Sequence, residues 1–99
     1  MNRILIVDDD RQLRMSFARL LSGEGYQVTG FATGEEGLAY LEKQSPALVF
    51  LDVRLPGMNG LEVYERIRRM HPKLPVIIMT AFASTETAIQ ATRLGAFDY

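Results

Sequence analysis

The chain has 99 residues, 47% hydrophobic and 23% charged, with a formal net charge of −1, which describes one ordinary soluble domain and excludes disordered and fibrous classes. A charge so near zero gives this domain no electrostatic basis for nucleic-acid binding, which needs clustered Lys and Arg. With no cysteine there is no disulfide framework and no thiolate metal site, and no run reaches the ~18 apolar residues of a membrane span. The opening apolar run is also too short for a signal peptide and is cut by Asp8 to Asp10. The expected location is therefore the cytoplasm.

Residues 3–7 form a short apolar run with β-branched Ile4, Ile6 and Val7, ending in Asp8-Asp9-Asp10. This predicts a buried strand tipped by carboxylates. From Arg11 to Ser22 the pattern becomes helical, with Leu13, Phe17, Leu20 and Leu21 on one face, Asp10 as a cap, and Gly23 or Gly25 as terminator. Tyr26 to Phe31 read as a weaker strand near the sheet edge. Thr33-Gly34-Glu35-Glu36 has the spacing of a capping box for a helix to Lys43 that turns Leu38 and Leu41 inward. Ser45-Pro46 breaks that helix.

The stretch from Leu48 to Gly60 organises the rest. An apolar run ends on Asp52 and a loop containing Pro56-Gly57 follows, so Asp52 is expected at the tip of a strand buried on both faces. A third helix spans Leu61 to Met70, with Val63, Ile67 and Met70 on one side, and His71-Pro72 stops it. Val76-Ile77-Ile78-Met79 then make another doubly buried strand, tipped by Thr80. The last helix is expected from about Thr85 to Leu94, between a cap at Ser84 and a stop at Gly95. This β-α alternation predicts an α/β fold, a doubly wound parallel sheet whose site lies at the carboxyl ends of the strands, where strand order reverses.

The polar residues fall at those ends. If the first and third strands are neighbours, Asp8, Asp9 and Asp52 converge, and their repulsion calls for a divalent cation. Ligation by oxygen alone points to a hard ion, with Mg²⁺ favoured over Ca²⁺ because few protein ligands leave room for water and a phosphoryl group. The plainer reading of Asp8 to Asp10 is helix capping, and that of Thr80 is a strand-end hydroxyl bonded to backbone. Arg66, Arg68, Arg69 and Lys73 read as a solvated face near a helix C-terminus, and His71 as a helix stop.

Ile6-Val7-Asp8-Asp9-Asp10, Leu51-Asp52-Val53-Arg54-Leu55-Pro56-Gly57-Met58-Asn59-Gly60, Met79-Thr80-Ala81 and Gly95-Ala96-Phe97-Asp98-Tyr99 together resemble the receiver domain of bacterial two-component response regulators. The resemblance covers the whole chain in order. It implies a flavodoxin-like sheet of order 2-1-3-4, and a receiver domain over residues 1–99. It also implies that Asp52 accepts a phosphoryl group from a sensor histidine kinase. Asp9 and Asp52 would bind Mg²⁺ directly, Asp8 through water, and the backbone carbonyl of Arg54 would add a ligand. Thr80 would hydrogen-bond a phosphoryl oxygen, and Tyr99 would change rotamer with the Thr80 loop, although Tyr99 reads equally well as a core aromatic. No activity beyond metal-assisted autophosphorylation and autodephosphorylation is implied, so the chain is not expected to be an enzyme.

The family pattern continues past Tyr99 with a fifth strand carrying a Lys and then a fifth helix, neither of which this chain contains. The natural protein is therefore expected to be longer, and the conformational response of these residues alone to be weak. The wording around Met79 to Ser84 and Gly95 to Tyr99 is similar to receivers of sigma-54-dependent activators, which implies a transcriptional output domain or a dimer partner reached through the last helix. The competing readings are a phosphorylation-independent interaction module and an aspartyl-phosphate hydrolase of the haloacid dehalogenase type. The second lacks the expected Thr after Asp8-Asp9-Asp10. A dinucleotide-binding fold fails because Gly23-Glu24-Gly25 follows a helix rather than a strand.

Overall fold

A computed structural model of the chain describes residues 3–79. Within them strands and helices alternate: β1 (Arg3–Val7), α1 (Arg11–Gly23), β2 (Gln27–Phe31), α2 (Gly34–Lys43), β3 (Leu48–Asp52), α3 (Gly60–Met70) and β4 (Val76–Met79). The strands form one parallel sheet in the order β2-β1-β3-β4, as expected. From β1 the chain steps outward to β2, then crosses back to place β3 on the other side. The strand order thus reverses between β1 and β3. The helix expected from Thr85 to Leu94 lies outside the described residues.

Local chemistry sets the helix starts. The Asp10 carboxylate accepts from the N–H groups of Gln12 and Leu13 at 3.0 and 3.2 Å, occupying two donors that α1 leaves without carbonyl partners. Thr33 caps α2 by accepting from the Glu36 N–H at 3.2 Å. The reciprocal half of the expected capping box differs, because the Glu36 carboxylate accepts from the Thr33 hydroxyl at 3.0 Å instead of reaching the Thr33 backbone. Asn59 caps α3 through Leu61 at 2.7 Å.

The main core lies on one face of the sheet. There Leu5, Val7, Val49, Leu51, Val76 and Ile78 pack with Leu38 and Leu41 of α2 and Val63, Tyr64 and Ile67 of α3. Period-two alternation sends Ile4, Ile6 and Phe50 to the opposite face, where Phe17 of α1 meets Phe50 with ring centroids 5.3 Å apart. This second face is less completely covered. Leu48, Phe50, Ile77 and Met79 are half-buried, so β3 and β4 are fully buried on one side only, contrary to the sequence expectation.

The helix faces need the same correction. No residue of α1 is buried, and Leu20, on the expected apolar face, is 70% exposed. Leu13 is exposed too. The helix rests against β2 and sends Phe17 to the sheet, with Leu21 half-buried and Leu13 and Leu20 left exposed. Met70, at the last position of α3, is also exposed, whereas Tyr64, one step off the expected stripe, is buried. A tyrosine can fill such a place because its ring is apolar.

His71 does more than stop α3. Its backbone N–H closes the helix onto the Ile67 carbonyl, and its Nε2 lies 2.8 Å from the Leu41 carbonyl. A carbonyl only accepts, so Nε2 carries the proton and the ring ties the end of α3 to the end of α2.

Candidate functional site

Parallel pairing brings the acidic residues together. Val7 of β1 lies beside Leu51 of β3, so the next step along both strands sets Asp8 beside Asp52, at the point where the strand order reverses. One carboxylate oxygen from each of Asp8, Asp9 and Asp52 falls within 4.8 Å of the others. The convergence expected from the sequence is therefore present in the geometry.

The three residues sit in different surroundings. Asp8 is 2% exposed, its N–H donates to the Phe31 carbonyl at 3.0 Å, and its carboxylate accepts from the Asp10 N–H at 2.8 Å. Asp9 is exposed, and Asp52 is half-buried with one carboxylate oxygen accepting from the Arg54 N–H at 2.9 Å. Asp10 stays apart from the group, since it is exposed and its carboxylate caps α1. For Asp10 the capping reading of the acidic triplet holds.

Electrostatics favours a bound cation. Burial pushes the Asp8 carboxyl above its ordinary value, the bond from Asp10 opposes this, and the charges of Asp52, Asp9 and Asp10 push it further up. Burial also raises Asp52. The backbone bond from Arg54 opposes that rise, the Asp9 charge adds to it, and the Arg54 charge offsets part of it. Three oxygen donors of like charge at this spacing suit a hard divalent ion, whose charge removes the repulsion.

The loop after Asp52 is held against the strand tip. Gly60 donates its N–H to the Val53 carbonyl at 3.0 Å, and a Cβ there would collide with the Val53 Cα and the Asp52 carbonyl. Gly57, with φ +78°, lets the chain turn back between them. Arg54 is exposed within this loop. Thr80 and Tyr99, the remaining expected site residues, lie outside the described residues.

One neighbour of the site was missed by the sequence reading. Arg14, in the first turns of α1, donates from Nη1 to the backbone carbonyl of Asp8 at 2.7 Å. Its only sequence signal is its place one turn beyond the cap, where Arg14 N–H bonds the Asp10 carbonyl at 3.0 Å.

A doubly wound parallel sheet with an acidic cluster at its switch point is the architecture of a receiver module. Residues 4–99 match the family described as response regulator receiver domain, and the chain belongs to that family. It is 44% identical over 96 residues to the DNA-binding transcriptional regulator NtrC of Salmonella typhimurium, covering 97% of this chain and 20% of that protein. The chain thus spans about a fifth of the length of the curated relatives it matches. A CheY-like response regulator receiver domain protein from Methanospirillum hungatei superposes with a TM-score of 0.96 at 38% identity, covering 100% of this chain and 79% of that one. A response regulator from Burkholderia pseudomallei, whose crystal structure contains a phosphorylated aspartic acid, a calcium ion and citrate, has a TM-score of 0.94 at 26% identity and covers 100% of this chain and 58% of that one.

Proposed function

We propose that this receiver accepts a phosphoryl group on Asp52 from a sensor histidine kinase, in the presence of Mg²⁺, and passes a conformational signal to an output domain that regulates transcription. The observation that carries the reading is the meeting of Asp8, Asp9 and Asp52 at the switch point. Asp9 and Asp52 would hold the cation directly, Asp8 would act through water, and the backbone carbonyl of Arg54 would complete the protein's share. When bound, the cation neutralises charge on the phosphoryl group and on the cluster.

The chain's own part is positioning. Asp52 has one oxygen engaged by the Arg54 N–H, which limits rotation of the carboxylate. An oxygen of Asp52 attacks the phosphorus as the bond from phosphorus to the kinase imidazole nitrogen breaks, and that nitrogen leaves with the bonding electron pair. Thr80 donates a hydrogen bond to a phosphoryl oxygen, and Tyr99 responds to the loop that follows Thr80. The similarity to NtrC supports the transcriptional output and a cytoplasmic setting. No helix among the described residues is long and apolar enough to cross a membrane.

The test is intact mass after incubation with acetyl phosphate and Mg²⁺. The expected gain is one phosphoryl group, absent without Mg²⁺ and absent in Asp52→Asn. No gain, together with no Mg²⁺ binding at millimolar levels, would leave a phosphorylation-independent interaction module.

A further inference from the structure

Arg14 lies beneath the acidic cluster without entering it. Its guanidinium donates to the Asp8 carbonyl at 2.7 Å, and its aliphatic stem crosses Gly30 of β2, where an added Cβ would stand 3.3 Å from the Arg14 Cδ. The Asp8 N–H is held from the other side by the Phe31 carbonyl at 3.0 Å. Both backbone groups of Asp8 are therefore anchored from outside its own loop.

The carbonyl that Arg14 holds belongs to the peptide joining Asp8 to Asp9. That peptide is planar, so fixing its oxygen fixes the direction in which the chain enters Asp9. Asp9 is exposed, unlike the buried Asp8, so burial constrains its carboxylate less. We propose that Arg14 is a positioning residue for the cation site, holding the Asp8–Asp9 peptide so that the Asp9 carboxylate stays within reach of those of Asp8 and Asp52. The proposal rests on reading the acidic cluster as a cation site. A guanidinium suits the task because its donors are held in a rigid plane, whereas a lysine ammonium would be a mobile point charge. Gly30 belongs to the same device, since its missing side chain is the space through which the arginine stem passes.

The test is the Mg²⁺ dissociation constant of the whole chain, measured by titration calorimetry beside the cation-free melting temperature. Arg14→Ala should weaken Mg²⁺ by about 10- to 100-fold, the range typical for loss of a group that orients a metal ligand. Arg14→Lys should recover part of that loss. Gly30→Val, which keeps the arginine but crowds its stem, should also weaken Mg²⁺, and the double variant should bind no more weakly than Arg14→Ala alone. Leu20→Ala, on the exposed side of the same helix, should leave affinity unchanged. Full Mg²⁺ affinity in folded Arg14→Ala, or in Gly30→Val should Arg14→Ala fail to fold, would overturn the proposal. If the unaltered chain binds no Mg²⁺, the cation reading itself fails and takes the role of Arg14 with it.

Discussion

Asp8 and Asp52 both ionise less readily in the fold than their ordinary value of 3.8, so their charged forms oppose folding when no cation is bound. The stability linked to each is fully present below that value and is lost as pH rises through the elevated folded-state pKa. Urea unfolding with chelator should therefore show Asp8→Asn and Asp52→Asn gaining on the unaltered chain as pH rises from acid to neutral, and the gain should vanish at acid pH. A gain that is the same at every pH would contradict this. The neighbouring Asp10 should behave differently: Asp10→Ala removes the α1 cap and should cost about 0.5–2 kcal/mol in the same assay. Mg²⁺ affinity should survive that change, because the bond from residue 10 to Asp8 comes from the backbone. The three converging carboxylates were legible in the sequence because the apolar runs of β1 and β3 stop on Asp8-Asp9 and on Asp52. Arg14 was not, since its role depends on meeting a backbone carbonyl and a side-chain-free strand position that only the tertiary fold brings together.

Element boundaries followed the expected caps and breakers closely, as Asp10, Thr33 and His71 show, while the Asn59 cap of α3 was not read from the sequence. Burial followed less well. Periodicity marks which side of a helix is apolar but not whether another element covers it, so Leu13 and Leu20 lie on the expected apolar face and still stand exposed. Leu20→Gln should consequently change the unfolding free energy of this chain by no more than about 0.5 kcal/mol, while Ile67→Ala, on the covered side of α3, should cost about 2–5 kcal/mol. Equal costs would mean that α1 is packed more tightly than its exposure shows. The approach of α2 to α3 offers a sharper check. A Cβ at Gly34 would run into the Val63 Cγ2, so Gly34→Ala should destabilise, and shortening Val63 to Ala should reduce its added cost.

At the scale of the molecule, the fold class and the location of the site were both readable from the order of elements, because a right-handed parallel sheet leaves few places where strand order can reverse. That reversal puts residues far apart in the chain at adjacent strand ends, so a cation bound there links β1 to β3. Mg²⁺ at about 100 times its dissociation constant should raise the unfolding free energy by about 2.7 kcal/mol, and chelator should return it to the starting value. Hydrogen exchange should slow together at the ends of β1 and β3 on Mg²⁺ addition, and slowing confined to one strand would argue against a shared ion. The loop between Asp52 and Gly60 has a different consequence. Its two ends are pinned by backbone groups, one at the Arg54 N–H and one at the Gly60 N–H, while Pro56 between them is exposed. A change of that outward side chain should therefore leave the carboxylate beneath it undisturbed, so the outer face of the loop and the acidic cluster can vary independently.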